Sequence, residues 1–228
     1  MRKRPAESPD VDMAAIDDII RILEKETKKY TTPIVTEVKE QTRDPYKVLV
    51  SCLISLRTKD EVTRAASKRL FLEAETPERM AEMKETKIAE LIYPAGFYKT
   101  KAKRIKEISK TLISKYHSKV PDEIDELLKL KGVGRKTANL VVTLGYNKLG
   151  ICVDTHVHRI SNRLGYVRTK TPAQTEFSLR KKLPEKYWIR YNDLLVTWGQ
   201  NICSPTSPWC SKCAIRHYCK RIGVKKSR

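Results

Sequence analysis

The chain has 228 residues, enough for one large or two modest domains with an apolar core, so its size calls for no disulfide staples. Its 47 Lys and Arg against 27 Asp and Glu leave a net charge of +20, more than solubility asks for, which points to a polyanionic partner with nucleic acid as the first candidate. The charge is spread along the whole chain rather than gathered on one amphipathic helix, which argues against a membrane-surface protein, and no apolar run approaches the roughly 20 residues that span a bilayer. The opening MRKRPAESPD lacks the apolar stretch of a secretory signal, so an intracellular location is expected, cytoplasmic or nucleoid, or nuclear in a eukaryote.

In chain order, residues 1–10 are polar, charged and contain two prolines, and a disordered basic tail is expected there. Ile16, Ile19, Ile20 and Leu23 recur at i, i+3, i+4 and i+7, predicting an amphipathic helix over about residues 12 to 29. Asp44-Pro45 reads as a cap and first turn before Tyr46 to Leu56, whose nearly continuous apolarity predicts a buried core helix. Thr58-Lys59-Asp60-Glu61 has the capping-box spacing and starts another helix, after a polar, basic loop over residues 55–60.

Thr76-Pro77 and Thr86 open two short helices, and Pro94-Ala95-Gly96-Phe97-Tyr98 is a turn with two aromatics expected to be exposed. Ala102, Ile105, Ile108, Leu112, Ile113 and Tyr116 mark a helix to about residue 116, with Lys99, Lys101, Lys103, Arg104, Lys106 and Lys110 assigned largely to its other faces. Pro121 begins a short helix entering a glycine hairpin. There Leu127, Leu128 and Leu130 end one apolar pattern, Gly132-Val133-Gly134 supply the φ freedom of a tight turn, and Ala138 to Leu144 open another pattern. Asp154 sits at an N-cap before Val157, Ile160 and Leu164, with Gly165 as the stop, Thr171-Pro172-Ala173-Gln174 is a further capping box, and Tyr191 to Trp198 gives the last long helix. With no convincing strand, the predicted class is all-α.

Three groups carry chemistry. The glycine turn and the following helix start present backbone N–H groups and a positive dipole end, a seat for phosphate to which Arg135 and Lys136 add charge; a lone GxG is equally an ordinary interhelical turn. A lysine is nucleophilic only when deprotonated, and Lys136, near a helix N-terminus beside Arg135 and Lys131, lies where dipole and like charges favour the neutral amine that Schiff-base chemistry requires, although a phosphate-clamping lysine fits there too. Asp154 is explained by capping alone, worth about 1 kcal/mol, yet its carboxylate would also stabilise positive charge developing on a sugar or accept a proton. Last, Cys203, Cys210, Cys213 and Cys219 form C-x6-C-x2-C-x5-C, too tight for a disulfide framework; the single close pair with distant outer ligands suits a cubane iron–sulfur cluster better than the two knuckles usual for structural zinc, and both remain open on spacing. Cys52 and Cys152 lie in apolar contexts, as inert core thiols do.

LKGVGRKTA, then VDTHVHR, then the four-cysteine motif, in this order and spacing, resemble endonuclease III, a family of helix-hairpin-helix DNA glycosylases, from about Ile16 to Cys219. The resemblance implies two helical domains with a cleft between them where DNA lies: a six-helix domain over residues 38–148 ending in the helix-hairpin-helix, and a cluster domain of 11–37 plus 149–228. It implies a bifunctional DNA glycosylase and AP lyase that flips an oxidised pyrimidine out of double-stranded DNA, attacks C1′ with the hairpin lysine and nicks the strand 3′ to the lesion by β-elimination. Lys136 matches that nucleophile and Asp154 the family's catalytic aspartate. Gly132, Val133, Gly134 and Arg135 match the phosphate-binding turn, and the four cysteines match the [4Fe–4S] ligands. Arg57 and Phe97 fall where the family fills the vacated base stack from two loops. The family usually has glutamine at Arg57, leucine at Phe97 and often proline at Lys131, departures that bear on lesion and opposite-base preference rather than on the nucleophile. The expected partner is duplex DNA with a damaged base or abasic site, bound by a monomer away from membranes. A glycosylase for T or U mismatched with G, and a non-catalytic DNA-binding or redox-sensing module, are the alternatives.

Overall fold

The computed structural model describes residues 13–30 and 44–228, and among these every regular element is helical. The tail expected at residues 1–10 lies outside the described residues, as does the domain boundary expected at residue 38. The chain falls into two compact units, Thr32–Cys152 and Met1–Thr31 with Val153–Arg228.

The first unit is built around α2 (Pro45–Ser55). Asp44 caps it, its carboxylate accepting from Tyr46 N at 2.8 Å, and Pro45 supplies the preset φ of the first turn. Because α2 is apolar on every side, it is buried on every side: α3 (Asp60–Glu73), α6 (Tyr98–Tyr116), α8 (Arg135–Leu140) and the π turn Val141–Gly145 that continues α8 all pack against it. The short helices α4 (Pro77–Glu82) and α5 (Glu85–Ile92) lie against α6, and Tyr46 Oη meets Ser109 Oγ at 2.7 Å, tying the central helix to α6 by a buried polar contact. A last short helix, α7 (Ile124–Leu128), leads into the hairpin. It starts with Glu123 as cap, a few residues beyond the expected Pro121.

In the second unit, α1 (Met13–Thr27) buries Ile16, Ile19, Ile20 and Leu23 against α11 (Trp188–Asn201), which itself carries the fully buried Tyr191 and Trp198. Polar contacts at the rim reinforce this seam, with Arg190 on Glu24, Tyr187 on Asp17, and Tyr218 Oη donating to Asp18 Oδ2 at 3.2 Å. Helix α9 (Thr155–Leu164) packs on α11 and on α10 (Pro172–Lys182) and ends at Gly165, whose φ of +78° is the left-handed stop expected of it. Thr171 Oγ1 caps α10 by accepting from Gln174 N at 3.2 Å, while Gln174 reaches back to Lys170 N at 2.9 Å rather than to the cap residue.

Two expectations fail in the first unit. Thr58 does not cap α3: the cap position is Lys59, without a side-chain bond, because the Thr58 hydroxyl is engaged by residues from α6 and the turn before it. Lys101 does not face solvent with the other α6 lysines but is 5 % exposed, since 101, 105, 108 and 112 share one helical stripe and the last three are core residues.

Candidate functional site

The hairpin joins α7 to α8. Leu130 N donates to Leu127 O at 3.1 Å and Val133 N to Leu130 O at 3.0 Å, closing a turn in which Gly132 adopts φ +88°. Of the two hairpin glycines, Gly132 uses glycine's conformational freedom. Gly134, at φ −101° and ψ 174°, is in ordinary extended backbone with open space where a Cβ would stand, so the expectation that both glycines supply φ freedom holds for one of them. A Cβ on Gly132 would also come within 3.0 Å of the Arg104 side chain.

The Val133 side chain belongs to the core and its N–H donates to Leu130 O, which anchors the hairpin to its unit. From Gly134 onward the helical ladder begins with Ala138 N donating to Gly134 O at 2.9 Å, and Arg135, Lys136 and Thr137 form the first turn of α8. Lys136 is half-buried in this first turn, and its own carbonyl accepts from Cys152 Sγ at 3.8 Å. Beneath it lies Cys52, whose thiol burial pushes up to about 12 despite the opposing pull of the Lys136 charge, so Cys52 is the inert core thiol expected.

Asp154 belongs to the other unit. It is 8 % exposed, and its Oδ1 accepts from His156 N at 2.8 Å and Val157 N at 2.9 Å, the N-cap of α9 expected from the sequence.

Arg57 and Phe97, on separate loops, are brought together. The Arg57 guanidinium lies 5.6 Å from the centroid of the Phe97 ring, and both residues are left-handed, with φ of +53° and +58°. Phe97 is 63 % exposed, as expected, whereas Tyr98 is half-buried and sets its edge against Tyr93 at 5.3 Å. Between the loops is a recess of about 420 Å³ with Leu53 and Leu56 in its lining, together with Arg57, Phe97, Lys101 and Arg104. Lys101 Nζ donates to Ile54 O at 2.6 Å and to Thr58 Oγ1 at 2.7 Å, and burial pulls its ammonium down to about 8. Sequence reading missed Lys101, although its place on the stripe of Ile105, Ile108 and Leu112 was a usable signal.

The four cysteines line one cavity at the C-terminal end of the second unit. Cys203 follows α11, its N–H donating to Trp198 O at 2.8 Å; Cys210 opens a 3-10 turn that ends at Cys213, and a second such turn, Arg216–Tyr218, precedes Cys219. Arg163, on the last turn of α9, is 8 % exposed and points its guanidinium at this loop, donating to Ser204 O at 2.7 Å, Pro205 O at 2.6 Å and Cys203 Sγ at 3.3 Å. Burial raises the Cys213 thiol and lifts Cys219 to about 11. These sulfurs therefore carry protons at neutral pH unless a metal takes the proton's place, and a buried guanidinium gains from the negative charge that metal-bound thiolates bring.

Residues 50–185 match the model of the HhH-GPD superfamily of base excision DNA repair proteins. Endonuclease III of Thermotoga maritima is 50 % identical over 177 residues, covering 78 % of this chain and 83 % of that protein. The chain belongs to the endonuclease III family. Two solved structures extend the likeness to the backbone, each 32 % identical over 90 % of this chain and 95 % of the other: a non-covalent endonuclease III–DNA complex with a TM-score of 0.78, and a trapped endonuclease III–DNA covalent intermediate with an estranged adenine, with a TM-score of 0.77. The protein is accordingly a base-excision DNA glycosylase with AP lyase activity, and DNA is what it acts on. The family carries an iron–sulfur cluster, and in this chain the four cysteines line one cavity. No helix among the described residues is long and apolar enough to cross a membrane.

Proposed function

We propose that this enzyme, acting as a monomer, removes oxidised pyrimidines of the thymine glycol type from duplex DNA, with Lys136 as the nucleophile and Asp154 as its electrostatic and proton-transfer partner. The observation that carries the reading is the position of Lys136, half-buried in the first turn of α8 immediately beyond the left-handed Gly132 turn. A relative trapped as a covalent DNA intermediate supports it, because such a species needs a nucleophilic side chain.

In this mechanism the neutral amine attacks C1′ of the flipped nucleotide, the C1′–N bond breaks, and the base leaves with the electron pair and takes up a proton. The Asp154 carboxylate stabilises the positive charge that gathers on the sugar; a proton then passes from the nitrogen to O4′ as the C1′–O4′ bond breaks, and the opened sugar is held as the protonated Schiff base. The iminium acidifies the neighbouring C2′–H. Its removal and the expulsion of the 3′ phosphate nick the strand, and water then releases Lys136. Gly132, Gly134 and Arg135 grip the backbone, while Arg57 and Phe97 fill the gap left in the stack.

Cys203, Cys210, Cys213 and Cys219 would hold a [4Fe–4S] cluster. The fit rests on four half-buried cysteines around one cavity, with Arg163 against Cys203 Sγ as a compensating charge. Bound there, the cluster would supply a fixed cross-link between the loop's sulfurs.

Base release and strand nicking, measured in parallel on a thymine glycol duplex and on a G·T mismatch, test the substrate class. Faster processing of thymine glycol, with nicking 3′ to the lesion, is expected. A preference for the mismatch would overturn the assignment.

A further inference from the structure

We infer that Lys101 is a positioning residue: with Thr58 it latches the loops that carry Arg57 and Phe97 into one reading head, and so governs how the enzyme engages the strand opposite the lesion. This rests on the proposed role of those two loops in filling the vacated stack.

The latch has one hydroxyl at its centre. Thr58 Oγ1 accepts from Lys101 Nζ at 2.7 Å and from Gly96 N at 3.1 Å, and lies 3.4 Å from the Leu56 carbonyl as its own acceptor. Lys101 Nζ also holds the end of α2 through Ile54 O at 2.6 Å. One ammonium thus joins α6 to both ends of the Leu56–Arg57 segment, and one hydroxyl joins that segment to the turn before α6. Gly96 lets the loops close: a Cβ there would stand 2.6 Å from Arg57 O.

What the latch holds is strained. Arg57 and Phe97 both occupy left-handed backbone, which a residue with a side chain keeps only where its surroundings impose it. Their side chains meet over the recess, the guanidinium 5.6 Å from the ring centroid, with Phe97 projecting into solvent. Such a pair presents a flat apolar face and a fork of donors at a fixed spacing, which suits stacking on one base while hydrogen-bonding its neighbour. A lysine on the solvent face of α6 would contribute only charge. A buried one is costly to keep, and here its donors are spent on the two elements that set Arg57.

The test compares wild type with Lys101→Met and with Thr58→Val, which removes the hydroxyl and no charge. Hydrogen exchange at the Gly96 amide should rise about tenfold or more in both variants, with α9 amides as the control for general destabilisation. The ratio of lyase rates on an abasic site in duplex and in single-stranded DNA should fall about tenfold, since only the duplex has an opposite strand to read. Gly96 exchange at the wild-type rate, or rates on the two substrates falling by the same factor, would overturn the latch. If wild type shows no lyase activity on either substrate, the proposed function fails, and the Gly96 exchange alone then decides the latch.

Discussion

At the scale of single residues, positions that look alike in sequence turn out to have different physical tasks. Gly132 and Gly134 are the clearest case. Alanine at Gly132 meets a φ of +88° and the Arg104 side chain, and should cost about 1–2 kcal/mol in chemical denaturation, with weaker DNA binding as the turn distorts. Alanine at Gly134 has open space and ordinary backbone, so the weaker cap and the stiffer unfolded chain should nearly cancel, within about 0.5 kcal/mol. Asp154 can be separated in the same way. Asp154→Asn keeps an oxygen to accept from His156 N and Val157 N and should leave stability within about 0.5 kcal/mol, while base release slows about a hundredfold for want of the charge. Equal losses of stability and rate would reduce Asp154 to a cap.

The same residues show how much could be read beforehand. Asp154, Gly165 and Asp44 were legible because capping is local chemistry, settled by a few neighbours in sequence. Thr58 was misassigned although its capping-box pattern is present, because its hydroxyl goes to Gly96 and Lys101, some forty residues along the chain. Lys101 was hidden among lysines of the same helix, and only the alignment of 101 with the stripe 105, 108 and 112 separates it from them. Composition marked it as surface; tertiary packing decided otherwise.

At the scale of elements, the apolar helices were readable and the irregular segments were not. Continuous apolarity identified α2 as the centre of its unit, and Leu53→Ala there should cost about 2–5 kcal/mol, read as a lowered denaturation midpoint. The switch from α8 to the π turn Val141–Gly145 has no counterpart in the periodicity of Ala138 to Leu144. That the four cysteines line one cavity agrees with their close spacing in sequence, but the arginine beside them was not legible, since Arg163 lies on another element and reaches Cys203 only in the folded chain. Purified protein should contain about four irons per chain with matching sulfide and absorb broadly in the visible. Zinc without iron would contradict the [4Fe–4S] assignment. Oxidative loss of the cluster should lower the melting temperature, because the segment from Cys203 to Cys219 has only short 3-10 turns to order it.

At the scale of the whole molecule, a net charge of +20 favours DNA binding irrespective of sequence, and the proposed chemistry rests on a few side chains. Binding to undamaged duplex should therefore weaken about a thousandfold from 50 to 200 mM salt, measured by fluorescence anisotropy, and Lys136→Ala should share that salt dependence with only a small loss of affinity. A chain that merely bound DNA would behave identically in this assay, so the decisive experiment is covalent. Wild type, Lys136→Ala and Asp154→Asn are each mixed with a duplex bearing one thymine glycol, borohydride is added, and the adduct is digested and mapped. The account predicts a single reduced adduct on the peptide containing Lys136 in wild type, a slower-forming adduct on the same peptide in Asp154→Asn, and none in Lys136→Ala. An adduct that persists in Lys136→Ala, or that maps to another lysine, would contradict it.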